Sequence, residues 1–285
     1  MNPTQLNQNQ NQSQSSNTQH FVETDGGMTR MFEYSPQGSL HFQTNRQLVQ
    51  ILNTIPFGPT LFLDGILQSS SKDEYIYHEM LVHPMMSCLS PEHRERIAIF
   101  GGGEGCTARE VMRWPLTHDI VMYDYDRQLV EYFMNHNTAW NSDEALHDPR
   151  VRRKYTDIFE EIHHPENGRF NGLIIDLTDP EPSLQWRNLI NGAFHWLHPT
   201  GAMVINAGGI YPWDTHSLDL VYDIAKEHIQ NQGLDFQIHM YKQFVPSFGR
   251  EWAFVLVHHA PFNSYQLNSP ASRYYTPQKV EFLST

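Results

Sequence analysis

The chain has 285 residues, 39% of them apolar, enough to fill the core of one large domain and a small one. Its 19 Lys and Arg against 32 Asp and Glu leave a formal net charge of −13, and no basic cluster is present to track a phosphate backbone, which argues against a nucleic-acid partner. Two cysteines, Cys88 and Cys106, argue against a disulfide scaffold and fit a reducing, cytoplasmic location, while the lack of both a signal-peptide pattern and any run near the roughly 18 apolar residues of a membrane span argues against a membrane.

Residues 1–27 are dominated by Gln, Asn and Ser, with too few apolar side chains to offset the entropy of ordering them, so a disordered tail is expected. Residues 28–90 carry short runs of strand character, at 39–43 and 60–63, separated by the turn formers Gly58-Pro59 and Asp64-Gly65. They predict a small antiparallel β domain. Within 72–88, Ile76, Met80, Leu81 and Met85 have helical spacing and predict a helix leading into the next domain. Residues 91–285 change pattern: apolar runs at 97–100, 120–123, 173–175, 202–205 and 252–257 alternate with helical segments near 108–113, 127–135, 184–196 and 218–230. That alternation predicts strands of a parallel sheet joined by crossover helices.

The run at 97–100 leads directly into Gly101-Gly102-Gly103-Glu104-Gly105 and a helix, a turn whose missing side chains let the backbone approach a nucleotide-like ligand. Alone the turn is weak, because α/β loops use glycine for packing too. The next run ends in Tyr123-Asp124-Tyr125-Asp126, placing a carboxylate about 20 residues beyond the glycines, where it can accept from ribose hydroxyls. Together they point to an adenosyl ligand in a Rossmann-like α/β domain of the S-adenosylmethionine methyltransferase type. Asp157 stands where a third strand should end, and Asp176 and Asp179 lie on the loop after a fourth. A single loop Asp is more often a turn or helix cap; four acidic strand ends in one domain favour a site.

At these residues the sequence resembles the polyamine aminopropyltransferases, which comprise spermidine, spermine and thermospermine synthases. The resemblance runs from about Gln47 to Pro277, through the segments at 63–68, 73–79, 101–105 and 176–180 and Trp252-Ala-Phe. Within the family it is most similar to thermospermine synthases, on Glu104 where spermidine synthases usually carry Asp, on Tyr77-His78-Glu79, Asn206-Ala-Gly208 and Val245-Pro-Ser-Phe248, and on the segment at 270–277 that contains Arg273-Tyr-Tyr275. The resemblance implies decarboxylated S-adenosylmethionine as co-substrate, a polyamine as acceptor, no prosthetic group, no metal, and a homodimer or homotetramer. It places the ribose on Asp124 and the adenine amino group on Asp157, with Gly101, Gly103 and Ile158 also binding the cofactor. Gln47, Tyr77 and His78 would line the cofactor and aminopropyl site, with Glu104 holding its amino end. Asp176 would be the base, and Asp179, Tyr77 and Phe248 would contact the amine.

Chemistry supports those roles. An alkyl amine, with a pKa of about 10.4, arrives protonated and must lose a proton before it can attack. A carboxylate at Glu104 would repel the carboxylate of intact S-adenosylmethionine and so prefer the decarboxylated form. The chain departs from the family after Asp179-Pro180, where it reads Glu181-Pro-Ser-Leu-Gln-Trp186 without the usual Gly-Pro, and at Asn206, where the family has Gln. Phe248 replaces a spermidine-synthase Tyr and favours spermidine as the acceptor, giving thermospermine. The alternatives are a putrescine-using spermidine synthase, a small-molecule methyltransferase and a non-catalytic polyamine-binding protein. His78-Glu79 and His83 superficially match a zinc-protease helix, but five-residue spacing turns the second imidazole away from the first. The pairs His163-His164 and His258-His259 read as surface residues, and Trp213 as a possible pocket residue.

Overall fold

The structure, a computed structural model, describes residues 18–25, 27–136, 139–164, 169–259 and 270–284. The first third of the chain forms five antiparallel strands that follow one another in space as in sequence: β1 Gln19–Asp25, β2 Met28–Gln43, β3 Leu48–Thr54, β4 Gly58–Leu63 and β5 Ile66–Ser70. β1 falls within the segment expected to be a disordered tail. Its pairing with β2, Phe21 opposite Phe32 and Glu23 opposite Arg30, supplies the order that composition alone does not. Residues 1–17 of that expected tail lie outside the described residues.

Helix α1, Glu74–Ser87, leaves this sheet and is buried along nearly its whole surface, as a helix surrounded by protein must be. The second sheet takes β6 Arg96–Gly101, β7 Asp119–Tyr123, β8 Val151–Lys154, β9 Phe170–Asp176, β10 Leu197–Ile210, β11 Gln237–Val245 and β12 Arg250–His258 in the order β11-β12-β10-β9-β6-β7-β8. β8, β7, β6, β9 and β10 are parallel, and β12 and β11 add to one edge antiparallel. The crossovers carry α2 Cys106–Met112, α3 Arg127–Asn135, α4 Asp143–His147, α5 Ile158–Glu161, α6 Leu184–Trp196 and α7 His216–Gln232. α1 and α2 share one core with both sheets, while α6 and α7 cover the opposite face of the second sheet. Among the described residues no helix is long and apolar enough to cross a membrane.

The chain turns from β6 towards β7 on one side and returns to β9 on the other, so the strand order reverses between β6 and β9. In open α/β sheets ligands bind at the carboxyl ends of strands at such a point. Gly101 and Asp176 face each other there as register partners. The apolar runs read from sequence lie inside β6, β7, β9, β10 and β12. β11 escapes that reading because it is a half-exposed edge strand of mixed composition. His258 also differs from expectation: it is fully buried in β12, stacked 5.1 Å from His239, while His163 and His164 are exposed.

Candidate active site

A cavity of about 650 Å³ opens at the switch point, between the carboxyl edge of the second sheet and the face of β4 and β5. At one end the backbone of Gly101 to Gly103 forms its floor, and Asp124, Asp157 and Ile158 form its wall. The glycines are required by geometry. A Cβ on Gly101, whose φ is +90°, would run into the Asp176 carbonyl oxygen, and one on Gly103 would lie 2.7 Å from Asp124 Oδ2. Asp124 Oδ1 accepts from the Asp126 amide at 2.8 Å, and burial pushes its carboxyl up to about 7. Asp157 caps α5 by accepting from the Phe159 amide at 2.9 Å and lines the cavity as well. The cap reading and the site reading are therefore both true of it.

Gln47 reaches this end from β3's approach. Its Nε2 donates to Asp126 Oδ2 at 2.8 Å, which fixes the side-chain amide; Asp126 also caps α3 and accepts from Thr44. Asp126 is a positioning residue that sequence reasoning quoted without assigning it work.

The middle of the cavity holds the chemistry. Asp176, at the end of β9, accepts from the Tyr77 hydroxyl at Oδ1 (2.7 Å) and from the Thr107 hydroxyl at Oδ2 (2.5 Å). Burial, reinforced by the Glu104 charge, raises its pKa, whereas the two hydroxyls and His78 pull it down. Burial and the Asp176 charge hold Tyr77 as the neutral phenol, well above its ordinary value. His78 Nε2 lies 2.7 Å from Glu104 Oε1, and Nδ1 lies 3.0 Å from Glu74 Oε2 and 2.8 Å from the Glu74 carbonyl oxygen. Burial opposes the imidazolium, but these acceptors outweigh it and push the pKa to about 10. His78 therefore donates from both ring nitrogens. Thr107 has no motif around it, and only its place one residue into α2 brings it to Asp176.

The far end is shaped by β1, β2 and the loop before β12. Asp179 faces the opening, 3.9 Å from the Arg250 guanidinium, with its carboxyl pushed up to about 6 by burial and pulled down by Arg250. Arg250 pairs more closely with Asp25, at 2.5 Å. Phe248 packs against Tyr77 and Trp252, with ring centroids 6.0 and 4.4 Å away. Its loop is pinned by Asp73, which accepts from the Ser247 amide at 2.7 Å, and by Arg30, which donates to the carbonyls of Ser247 and Phe248 and pairs with Glu23 at 2.6 Å. Asn206 is held at both ends of its amide: Nδ2 donates to the Leu177 carbonyl, and Oδ1 accepts from the Gly208 amide and the Trp252 indole.

All twelve site residues expected from the sequence border this one cavity. Trp213 does not: it is 80% exposed and stacks on Tyr211. His78 and His83 point apart, His83 accepting from the Trp114 indole. Two groups of ligand-type side chains do converge, Glu74 with His78 and Cys106, and Glu79 with His83 and Glu110. Their carboxylates pair with Arg109, Arg113 and Arg273, so each buried charge has a guanidinium partner. Both cysteines are buried, with thiols pushed above their ordinary values by burial.

Comparison with known proteins gives the family and the fold. The family described as "Spermine/spermidine synthase domain" matches residues 74–267. Polyamine aminopropyltransferase 1 of Hyperthermus butylicus is 34% identical over 245 residues, 78% of this chain and 79% of that protein. In fold, the chain matches the spermidine synthase of Thermotoga maritima with a TM-score of 0.78 at 18% identity, over 91% of this chain and 89% of that one. A spermidine synthase crystallised with the transition-state analogue AdoDATO matches with a TM-score of 0.80 at 19% identity, over 92% and 89%.

Proposed function

The chain belongs to the spermine/spermidine synthase family and is a polyamine aminopropyltransferase; from that premise we propose that it moves the aminopropyl group of decarboxylated S-adenosylmethionine onto spermidine, giving thermospermine. The observation that carries this reading is the convergence of Glu104, Asp176 and Asp179 on the middle and far end of a cavity whose near end holds the glycine turn and Asp124. The near end takes the adenosyl part, with the ribose on Asp124 and the adenine beside Asp157 and Ile158. Glu104, held by His78, takes the ammonium of the aminopropyl arm.

The acceptor amine attacks the carbon next to sulfur. A C–N bond forms, the C–S bond breaks, and its electron pair stays on sulfur, leaving neutral methylthioadenosine. Asp176 accepts the proton that the amine must lose, and its raised pKa suits a proton acceptor in a dry site better than an ordinary carboxylate would. Tyr77 and Thr107 hold the carboxylate in place. Asp179 binds the next ammonium of the acceptor, and Phe248 supports its methylenes. Charge favours the decarboxylated donor: a donor carboxylate near Glu104 would meet a like charge. That same argument stands against methyl transfer from intact S-adenosylmethionine. A homodimer or homotetramer belongs to the proposal and is checked by light scattering.

One observation favours a second reading. Arg250 stands beyond Asp179, where it would repel a third ammonium, and this supports putrescine as acceptor. Incubation with decarboxylated S-adenosylmethionine and putrescine, spermidine or spermine separately, with chromatography that separates spermine from thermospermine, decides between them. Thermospermine from spermidine is the expected product. Transfer to putrescine alone would overturn the acceptor, and absence of transfer to every amine would overturn the activity.

A further inference from the structure

Arg273, in the segment at 270–284, lies outside the cavity and has no part in the chemistry above. The segment docks on one buried side chain. The backbone amides of Arg273, Tyr274 and Tyr275 all donate to the Glu79 carboxylate, at 2.9, 2.7 and 2.7 Å. Glu79 is completely buried in α1, so three amides satisfy a charge that would otherwise be costly there. This docking fixes the Arg273 backbone through amides, with its side-chain Nε a further 3.6 Å from Glu79 Oε1.

The side chain then reaches Glu74. Arg273 Nη2 lies 3.0 Å from Glu74 Oε1, and 3.5 Å from Glu110 Oε1. Arg109 Nη2 holds the same Glu74 carboxylate, at 3.0 Å to Oε1 and 2.8 Å to Oε2. Glu74 Oε2 in turn accepts from His78 Nδ1, and His78 Nε2 reaches Glu104. An unbroken line of charged hydrogen bonds thus runs from the last segment of the chain, through one turn of α1 from Glu74 to His78, to the Glu104 carboxylate in the cavity.

We propose that Arg273 is a positioning residue for donor recognition: with Arg109 it fixes Glu74, Glu74 fixes the His78 ring, and His78 sets Glu104 where the ammonium of the aminopropyl arm must bind. The inference rests on the proposed function, because it gives Glu104 that ligand. Alternating charges along the line make each member hold the next, and Glu74 has more than one cation because it shares them: Arg109 also pairs with Glu110, and Arg273 with Glu79 and Glu110. Losing Arg273 leaves Glu74 with Arg109 as its one guanidinium partner, so the carboxylate gains freedom to turn, and the play is passed to the His78 ring it holds. Arg273 is partly open to solvent, at 45% of its side-chain area, so its replacement leaves no cavity in the core.

The test compares two ligands that share the adenosyl part. Decarboxylated S-adenosylmethionine carries the aminopropyl arm and methylthioadenosine does not. In Arg273→Gln, calorimetry should find the donor bound about tenfold more weakly and methylthioadenosine unchanged, with KM for the donor raised and KM for the polyamine unmoved. Arg273→Lys, which keeps the charge, should recover most of the donor affinity. Unchanged methylthioadenosine binding certifies that the variant is folded. Equal losses for both ligands, or donor affinity equal to that of the native enzyme, would overturn the inference while leaving the functional reading intact. A native enzyme that transfers no aminopropyl group would overturn that reading, and this inference with it.

Discussion

Asp176 receives a hydroxyl on each oxygen, from Tyr77 and Thr107, and both favour its charged form against burial. Its replacement by Asn keeps the shape and both neighbours but removes the proton acceptor. Asp176→Asn should therefore lower kcat by about 10²- to 10⁴-fold while methylthioadenosine affinity stays near native by calorimetry; near-native turnover would remove Asp176 as the base. Thr107→Val acts more gently. Without that hydroxyl the carboxyl pKa moves further up, and a base must be deprotonated to work. The acid limb of kcat/KM should shift to higher pH, so that activity falls on the acid side of the profile and little on its alkaline side. A limb that stays in place would mean that Thr107 merely packs. Asp176 was legible in the sequence because it ends an apolar run; Thr107 was not, since its role comes from β9 lying beside the start of α2, which no local pattern records.

The turn between β6 and α2 was the most legible element, because three consecutive glycines after an apolar run have few other uses. Its members are not equivalent. Gly101→Ala should drop the melting temperature sharply, since its Cβ meets backbone at a positive φ. Gly103→Ala meets side chains and no backbone, Asp124 Oδ2 at 2.7 Å and Leu129 Cδ2 at 3.3 Å, so the expected loss is about tenfold in methylthioadenosine affinity with a smaller fall in melting temperature than Gly101→Ala. Calorimetry and thermal melts separate the two. β1 was illegible, because a strand next to a Gln-rich stretch has too little apolar content to declare itself and gains its order from β2. Yet β1 supplies Asp25, the partner of Arg250. Asp25→Asn should free the guanidinium to turn to Asp179, raising KM for the polyamine severalfold and leaving KM for the donor unmoved. An unchanged polyamine KM would exclude β1 from the acceptor site. α3 and α6 were read to their ends because both are amphipathic with a capping Asp or Ser, whereas β11 and the four residues of α5 carry no such periodicity.

At the scale of the whole molecule, stability and function draw on the same buried charges. Glu74 and Glu110 are held near 2 because, against the cost of burial, His78 or His83 and Arg109 stabilise their charged forms. Their contribution is complete above the ordinary value of 4.5 and is lost as pH falls towards 2. His78, raised from 6.5 to about 10, contributes fully below 6.5 and loses its contribution as pH rises through 10. Asp124 and Asp179 have the opposite sign from the glutamates. Burial raises Asp124 from 3.8 to about 7, so it detracts increasingly as pH rises between those values, while Asp179, raised in the same direction but with 48% of its side chain exposed and screened by water, adds little. The window in which these groups favour the fold together is narrow, and the melting temperature of the ligand-free protein should peak near about pH 5 and decline towards pH 8. A cationic donor reverses part of that decline, because the carboxylates that detract at pH 8 are those lining the cavity. Decarboxylated S-adenosylmethionine should therefore raise the melting temperature more at pH 8 than at pH 5, whereas methylthioadenosine, which lacks the sulfonium and the ammonium, should show a smaller difference. Differential scanning calorimetry over that range measures both. A ligand-free melting temperature that rises steadily from pH 5 to pH 8 would mean that the cavity carboxylates are not strained by burial, and the cavity would lose its electrostatic reason to prefer a cation.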